Sequence, residues 1–514
     1  MGRMLLNYRL AVAALACFSL TCSGGSSSDP EPDGVPPEVL AHAADWPLPG
    51  RDYNNSRATN DSTIDSSTVA TLGIAWSAPL PGAGAYGNAA TTPLILGDTV
   101  YIQDLSANVH AFDRESGEPR WQHFERQFLI GPNGVAVGWG KVFAIDGFKG
   151  VMALDAETGA VLWRQTITRT PSEGVDIQPT VFADLVLAST VPISLNGVYT
   201  GGDRGVLHGL DIETGAGVWE FDTVDSDDLW GNPDINSGGG AWYPPAIDID
   251  RGWVFWAVAN PAPFAGVPGF PNGSSRPGPN LYTNSLVALD AVSGDLQWFR
   301  QAIPHDIFDH DLVHSALVEI GTGGNRRTVV IATGKGGTVI AHDIDTGALL
   351  WETPVGRHEN NDLEELQGPT AIWPGTYGGV LTPPAATDGV VYVATINAPS
   401  TLSPEVPGYI GAPLGVANGQ VVAIDASNGA ILWDVEVPGD PLGACTVVND
   451  LVFTATFDGR IYALDRATGA EIWTTQAPGG INGWPAVAGD LLIWPVGLSR
   501  PPSLVAFRVG AVGS

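Results

Sequence analysis

The chain has 514 residues, of which 65 are glycine and 40 are proline, and no long amphipathic helical pattern follows its first residues. This composition excludes a helical bundle and favours an all-β protein with one large domain. With 55 acidic and 23 basic side chains the formal net charge is −32. The surface should therefore repel nucleic acid and anionic membranes, and nucleic acid is not expected as a partner.

The first 22 residues predict an export signal. Arg3 and Arg9 precede an apolar run over 10–20, which has the length of a signal-peptide core and is too short to span a bilayer. We therefore expect an exported protein, located in the periplasm or anchored at the outer membrane or cell surface. A polar stretch follows Cys22, so the segment fits either a cleaved signal or a lipoprotein leader with a lipid anchor at Cys22.

Residues 23–44 are rich in serine, proline and aspartate and lack an apolar period, which predicts a disordered linker. The folded domain is then expected over 45–514. Cys445 is its one cysteine, so no disulfide is expected there. The chain contains no C-x-x-C-H motif for covalent haem, so electrons from any redox reaction would have to leave to another protein.

A repeated motif organises the chain. In the copy ALDAETGAVLW over 153–163, an apolar strand leads to a turn with aspartate and glycine and then to a second strand ending on tryptophan, as in a β-hairpin. Seven copies occur, and their shortest intervals, 40 and 42 residues, match one four-stranded propeller blade per repeat. Their aspartates are Asp113, Asp155, Asp211, Asp290, Asp343, Asp425 and Asp465.

The two ends of the chain supply an eighth copy. The segment LVAF over 504–507 matches the first half of the motif, and LGIAW over 72–76 matches the second half. The sequence thus predicts an all-β, eight-bladed β-propeller whose ring is closed by N- and C-terminal strands that share one blade. An open solenoid is the alternative, but solenoids need distinct capping repeats.

Several segments outside the repeats carry the motifs of a known family. They include DWPLPGRDYNNSR over 45–57, SGGGAW over 237–242, ANPAPF over 259–264, IPHDIFDHD over 303–311 and TGKGG over 333–337. Together with the tryptophan motifs, they make residues 45–510 similar to the quinoprotein alcohol dehydrogenases. These are eight-bladed propellers that hold pyrroloquinoline quinone (PQQ) and a metal ion on their central axis, and the polyvinyl-alcohol dehydrogenases are among them.

The resemblance implies a role for each matching residue. Asp309 falls at the position of the family's catalytic base, and Asp311 at the position associated with a lanthanide in place of calcium. Asn260 matches a metal-ligating asparagine, so Asn260, Asp309 and Asp311 are the expected ligands of Ca²⁺ or a lanthanide. Lys335 is expected to contact the quinone oxygens and stabilise charge on the reduced quinone. The further cofactor-binding candidates are Trp242, Asn397 and Trp484.

The chain also departs from the family pattern. Ala90 stands where a quinone-contacting glutamate is usual, the vicinal cysteine pair over the cofactor is absent, and Asn133 replaces an arginine. A metal-ligating glutamate would align with Thr200 directly, or with Asp203 through a gap. The matching residues also have ordinary structural interpretations: Asp309 and Asp311 as a solvated turn or capping pair, Trp242 as a blade tryptophan packed between sheets, and Lys335 as a lysine in a surface turn.

The resemblance implies an exported enzyme that oxidises a small or polymeric alcohol by hydride transfer to a metal-bound quinone and passes electrons to a separate cytochrome. The alternative is a non-catalytic propeller lipoprotein that acts as a protein-interaction scaffold, similar to the outer-membrane assembly protein with the same repeats. A third is a quinoprotein-like propeller that retains the pocket for another ligand. Zinc is not expected at His305, His310 and His314, whose spacing lacks the compact pairing of zinc sites.

Overall fold

The computed structural model describes residues 34–511, apart from residues 83, 85, 196, 499 and 500. The predicted signal segment and the lipid-anchor candidate Cys22 lie outside the described residues. No helix in the described part of the chain is long and apolar enough to cross a membrane. Cys445 is a buried free thiol.

The predicted disordered linker is ordered in its last residues, which corrects that part of the prediction. Pro37–Ala41 form a short α-helix in which Val39 is buried. The Glu38 carboxylate accepts hydrogen bonds from the backbone N–H groups of Trp139 and Gly140. One buried valine and one carboxylate that accepts two backbone hydrogen bonds therefore hold a segment that has no apolar period.

The described residues form eight antiparallel sheets of four principal strands each, which we number in chain order. The first four sheets are sheet 1 (Leu94–Leu96, Thr99–Gln103, Val109–Asp113, Pro119–His123), sheet 2 (Val135–Gly138, Lys141–Asp146, Gly150–Asp155, Val161–Thr166), sheet 3 (Thr180–Phe182, Leu185–Pro192, Val206–Asp211, Gly217–Asp222) and sheet 4 (Ala246–Asp248, Trp253–Ala257, Ser285–Asp290, Leu296–Gln301). The others are sheet 5 (Leu312–Ile320, Arg327–Gly334, Thr338–Asp343, Leu349–Pro354), sheet 6 (Ala385–Thr387, Val390–Ile396, Gly419–Asp425, Ile431–Val437), sheet 7 (Thr446–Val448, Leu451–Ala455, Arg460–Asp465, Glu471–Gln476) and sheet 8 (Ala486–Ala488, Leu491–Val496, Ser503–Arg508, Gly73–Pro79). The prediction of an all-β protein is confirmed.

Short elements lie between the sheets and at their edges. The small strands are Ala58–Thr59, Glu173–Gly174, Ser194–Leu195, Val198–Tyr199, Ser237–Gly238, Pro261–Ala262, Gly266–Val267, Phe270–Pro271, Thr370–Ile372, Ser400–Ser403 and Val406–Gly411. The 3-10 turns are Val69–Thr71, Leu229–Gly231 and Gly323–Asn325. In sheet 8, Gly73–Pro79 pairs antiparallel with Ser503–Arg508, so the two ends of the described chain share one sheet.

Seven tryptophans of the repeat each join one sheet to the next. The indole N–H of Trp76 in sheet 8 donates to the Arg114 carbonyl beside sheet 1 at 2.9 Å, and Trp121 donates to the Ala156 carbonyl beside sheet 2 at 2.9 Å. The same bond recurs at Trp163, Trp219, Trp298, Trp351 and Trp433. The repeat therefore encodes the packing between sheets as well as the hairpins within them.

The motif glycine is required for this packing. At Gly117 the backbone φ is +72°, and an added Cβ would lie 2.6 Å from the ring of Trp76. At Gly347 φ is +66°, and the corresponding distance to Trp298 is 2.5 Å. A side chain would be strained by the positive φ and would also collide with the docked indole.

The N-terminal segment 48–57 enters the interior between the sheets. Arg57 is 1 % exposed, and its guanidinium donates to the carbonyls of Cys445, Pro49 and Pro485 and to two threonine hydroxyls. Burial lowers the pKa of Arg57 to about 9. These bonds connect the segment to sheets 1, 7 and 8.

Candidate active site

One large cavity brings together most of the residues singled out from the sequence. Its empty volume, counted to the open mouth, is about 1400 Å³. Trp242, Asn260, Asp309, Lys335 and Trp484 all line it, although they lie up to 242 positions apart in the chain. The sheets therefore assemble one site from loops that follow different repeats.

A buried charge cluster occupies the wall of this cavity. The Lys335 ammonium lies 3.2 Å from Oδ2 of Asp309 and 2.5 Å from Oδ2 of Asp311. The other oxygen of Asp311 accepts a hydrogen bond from the backbone N–H of Asn260 at 2.8 Å. All four residues are 5 % exposed or less. One cation thus faces two carboxylates where water has little access.

Two effects set the pKa values in this cluster: burial, and the attraction between the Lys335 ammonium and the carboxylates. Burial raises the pKa of Asp309 well above its usual value, and the Lys335 ammonium offsets part of the rise. Burial alone would lower the pKa of Lys335, but the carboxylates of Asp309 and Asp311 outweigh it and raise that pKa. Lys335 is therefore a permanent cation at neutral pH, and Asp309 is a carboxyl group with high proton affinity.

The loop that carries Asp309 has a specific backbone shape. Asp309 has φ of +65°, in the left-handed region that is uncommon for residues with a side chain. The residues on either side, Phe308 and His310, donate their backbone N–H groups to the two carboxylate oxygens of Asp306, each at 2.7 Å. Asp306 thus holds both flanks of the strained residue and directs the Asp309 side chain into the cavity.

The glycine- and proline-rich segment over 265–280, which follows the strand Trp253–Ala257, supports the same loop. Arg276 is fully buried and donates to the carbonyls of Pro263, Phe264 and Asp306. Its remaining bond goes to Oδ1 of Asn280 at 2.7 Å. The glycine- and proline-rich insertion is therefore a folded support for the charge cluster, which its composition alone did not indicate.

A slot for a flat group lies beside the charge cluster. The Lys335 ammonium lies 4.5 Å from the centroid of the Trp242 ring. The same cavity is lined by Ala90, Gly131 and Pro132. The small side chains at these positions leave space in the cavity that contains the Trp242 ring.

Three buried polar atoms in the cavity wall have no partner among the described residues. They are Nδ2 of Asn260, Oγ1 of Thr382 and Nε1 of Trp484. A buried polar group without a hydrogen bond costs free energy, so such atoms are rare unless a ligand or water satisfies them. Their convergence on one cavity indicates a site for a ligand with several hydrogen-bonding groups.

Other candidates lie outside the cavity wall. Asn397 is not among the described lining residues, and its Oδ1 accepts the backbone N–H of Arg357 at 2.8 Å. Thr200 and Asp203 do not line it either, and a carboxylate oxygen of Asp203 accepts the Thr170 hydroxyl. The structure therefore brings neither Asn397 nor the two candidates for the family's metal-ligating glutamate, Thr200 and Asp203, to the cavity wall.

A chain of tyrosine hydroxyls in the wall was missed from the sequence. The Tyr409 hydroxyl donates to that of Tyr377 at 2.8 Å, and the hydroxyls of Tyr377 and Tyr86 lie 2.7 Å apart. Burial raises the pKa of Tyr409, and the charges of Asp309 and Lys335 also act on it, so the chain lies near the charge cluster. The three tyrosines come from separate segments with no shared motif, and no local signal could have grouped them.

Comparison with known protein families identifies two matching segments of the chain. Residues 46–133 and 168–354, more than half of the chain, match the family described as "Glucose/ethanol/alcohol dehydrogenase, beta-propeller domain", the PQQ family. Residues 417–496 match the family of the outer membrane protein assembly factor BamB.

Two relatives show how much of the chain is shared. A quinohemoprotein alcohol dehydrogenase from Comamonas testosteroni is 26% identical over 454 residues, which cover 78% of this chain and 62% of that protein. The putative dehydrogenase XoxF from Paracoccus denitrificans is 25% identical over 503 residues, covering 81% of this chain and 80% of that one. The chain thus spans about three fifths of the length of the Comamonas relative.

Solved structures show the same propeller fold. The Comamonas testosteroni quinohemoprotein alcohol dehydrogenase superposes with a TM-score of 0.80 at 22% identity, covering 93% of this chain and 82% of that one. A europium-containing methanol dehydrogenase gives 0.77 at 21% identity, covering 91% and 99%. BamB from Moraxella catarrhalis gives 0.51 at 17% identity, covering 86% and 99%. The prediction of a propeller is confirmed.

Proposed function

The chain belongs to the PQQ family of glucose, ethanol and alcohol dehydrogenase β-propellers, and from this premise we propose that it is an exported PQQ-dependent dehydrogenase that oxidises an alcohol. Its electrons would pass to a separate cytochrome, because the sequence has no motif for covalent haem. We take the eight sheets as the blades of one closed ring, with sheet 8 closing it.

The observation that carries this proposal is the meeting of Asp309, Lys335 and Trp242 in one cavity. Oxidation of an alcohol needs a base for the hydroxyl proton, a positive charge near the electron acceptor and a flat surface that orients it. Asp309 is the base, Lys335 supplies the charge, and Trp242 supplies the surface.

The residues present fit PQQ. The unpartnered polar atoms of Asn260, Thr382 and Trp484 can hydrogen-bond a ligand rich in oxygen atoms, and the Trp242 ring offers a stacking face. When bound, PQQ supplies an ortho-quinone that accepts a hydride from the alcohol carbon. Asp309 takes the alcohol proton on its carboxylate, and Lys335 keeps an ammonium beside it throughout.

A hard cation fits Asn260, Asp309 and Asp311 in part. These residues offer carboxylate and amide oxygens, which Ca²⁺ and lanthanides prefer, but Ca²⁺ usually takes six to eight oxygen ligands. The described residues contain no group of three or more acidic, histidine or cysteine side chains suited to a metal. We propose that these three residues hold the ion as a Lewis acid, and that it competes with Lys335 for the two carboxylates.

The alternative is a non-catalytic scaffold similar to BamB, which the match over 417–496 favours locally. A scaffold does not need a strained aspartate beside a buried lysine, nor unpartnered donors in a cavity. Those features favour the enzyme.

Reconstitution tests the proposal. Purified protein is incubated with PQQ and either Ca²⁺ or La³⁺, and the reduction of an artificial electron acceptor is followed across a panel of small and polymeric alcohols. We expect quinone absorbance to be retained after desalting and alcohol-dependent dye reduction to follow. Retained PQQ without turnover of any alcohol would favour a binding protein, and no retained PQQ with either ion would contradict the proposal.

A further inference from the structure

A second carboxyl group in the cavity has no role in the chemistry described above. Asp176 lines the cavity in the segment between Glu173–Gly174 and Thr180–Phe182. Burial is the main cause of the raised pKa values of Tyr86 and Tyr243, and the charge of Asp176 adds to both. Asp176 therefore lies in the cavity wall within electrostatic reach of Tyr86 and Tyr243, which line the same cavity.

No cation compensates Asp176. Lys335 is the only basic side chain among the described residues that line the cavity, and it already pairs with Asp309 and Asp311. The groups that interact with Asp176 are the Gly131 amide and the hydroxyls of Tyr86 and Tyr243, all neutral. Burial therefore raises the pKa of Asp176 well above its usual value.

The proposed cofactor would bring further negative charge into the cavity that Asp176 lines. PQQ is a flat quinone that carries several carboxylate groups, and the cavity offers them one ammonium, itself between two acids. An ionised Asp176 would repel these carboxylates across a space of low dielectric. A protonated Asp176 has an O–H to donate, and hydrogen bonds with one charged partner are the stronger kind.

We propose that Asp176 is a cofactor-recognition residue that binds as the neutral acid and donates a hydrogen bond to a carboxylate or carbonyl oxygen of PQQ. This inference rests on the proposed function. It predicts that cofactor affinity is highest in acid and falls as the pH rises and Asp176 ionises. Asparagine at this position would keep a neutral donor at every pH.

Binding of PQQ to the apoprotein tests this without reference to turnover. Quenching of tryptophan fluorescence is titrated with PQQ at a fixed Ca²⁺ concentration from pH 5 to pH 9, for wild type, Asp176→Asn and Asp176→Ala. Asp434→Asn is the matched control, because it makes the same change on Ile431–Val437, outside the cavity wall. Circular dichroism verifies that each variant is folded.

We expect wild-type affinity to fall about tenfold more across this range than that of Asp176→Asn, the scale of one hydrogen bond to a charged group. Asp176→Ala should bind about tenfold more weakly than wild type at pH 5. If Asp176→Asn binds as weakly as Asp176→Ala, or if all variants share the wild-type profile, the inference is wrong. If wild type binds no PQQ at any pH, the proposed function fails and the inference falls with it.

Discussion

The ammonium nitrogen of Lys335 lies 2.5 Å from Oδ2 of Asp311, a carboxylate that is fully buried. Asp309 shares the same ammonium, so two acids depend on one base. Removing one member of a buried ion pair leaves an uncompensated charge, which costs more than the pair contributes. The cluster is therefore a weak point for stability as well as the centre of the proposed chemistry.

Replacing Lys335 by methionine should destabilise the fold by about 3–5 kcal/mol, because both carboxylates lose their cation. Added Ca²⁺ should raise the unfolding temperature of this variant more than that of wild type, since the ion can take the vacated position between the acids. Lys335→Arg, which keeps the charge, is the control. Thermal unfolding with and without Ca²⁺ measures both effects, and an unchanged midpoint for Lys335→Met would contradict the ion-pair assignment.

Asp309→Asn should remove the proposed base and preserve the cavity. We expect kcat/KM for alcohols to fall by about 10²–10⁴-fold, the usual contribution of general base catalysis, with PQQ absorbance retained. Asp98→Asn, a change at an exposed surface aspartate, should leave turnover at the wild-type level. Unchanged turnover of Asp309→Asn would reject this residue as the base.

Tyr377→Phe should break the hydroxyl chain, because Tyr377 accepts from Tyr409 and pairs with Tyr86. These hydroxyls line the cavity near Asp309 without entering the charge cluster. We expect KM for alcohols to rise severalfold and kcat to change by less than about twofold. Tyr101→Phe loses one hydroxyl bond to a carbonyl outside the cavity and is the control. An effect on kcat alone would contradict a role in alcohol binding.

The fold could be predicted from the sequence because the hairpin motif repeats its chemistry. Each complete copy contains the turn aspartate, the glycine with positive φ and the tryptophan, and in six of the seven complete copies that tryptophan bonds to the next sheet. Local pattern and long-range packing therefore agree, and the shared sheet of the two chain ends followed from matching half-motifs. The ordered helix Pro37–Ala41 was missed because it depends on contacts with sheet 2.

The site was only partly predictable. Asp309, Lys335 and Trp242 were found because they stand in motifs that resemble a known family, and they share the cavity. Asp176 and the tyrosine chain were not found, because their grouping depends on where loops from different sheets converge. Asn397 matched a family position, yet its side chain bonds to the backbone of Arg357 and the side chain of Asn418 instead of lining the cavity.

Asp306 provides a test of how the loop of Asp309 is held. Asp306→Ala removes the acceptors of the Phe308 and His310 N–H groups, so Asp309 should lose its fixed orientation. We expect kcat to fall by about tenfold or more, with PQQ binding retained, since misplacement of a reacting group is costly. Asp306→Asn keeps one acceptor oxygen and should give an intermediate kcat. Equal kcat values for both variants and wild type would show that the loop keeps its shape without this carboxylate.

Stability should fall in acid because of buried neutral histidines. The ring of His314 is packed against Tyr243 at 4.0 Å between centroids and donates to the Leu381 carbonyl, and burial lowers its pKa to about 3. In the unfolded chain the pKa of this histidine is about 6.5. Below that pH the unfolded state binds a proton, whereas the native state stays unprotonated until about pH 3, so acid favours unfolding. The free energy of unfolding should therefore drop by about 2 kcal/mol from this residue between pH 8 and pH 5. His314→Gln, which retains a donor and does not titrate, should show a smaller drop in denaturant unfolding, whereas His358→Gln at an exposed position should behave as wild type. If wild type and His314→Gln lost equal stability on acidification, His314 would not be the neutral buried group that resists protonation.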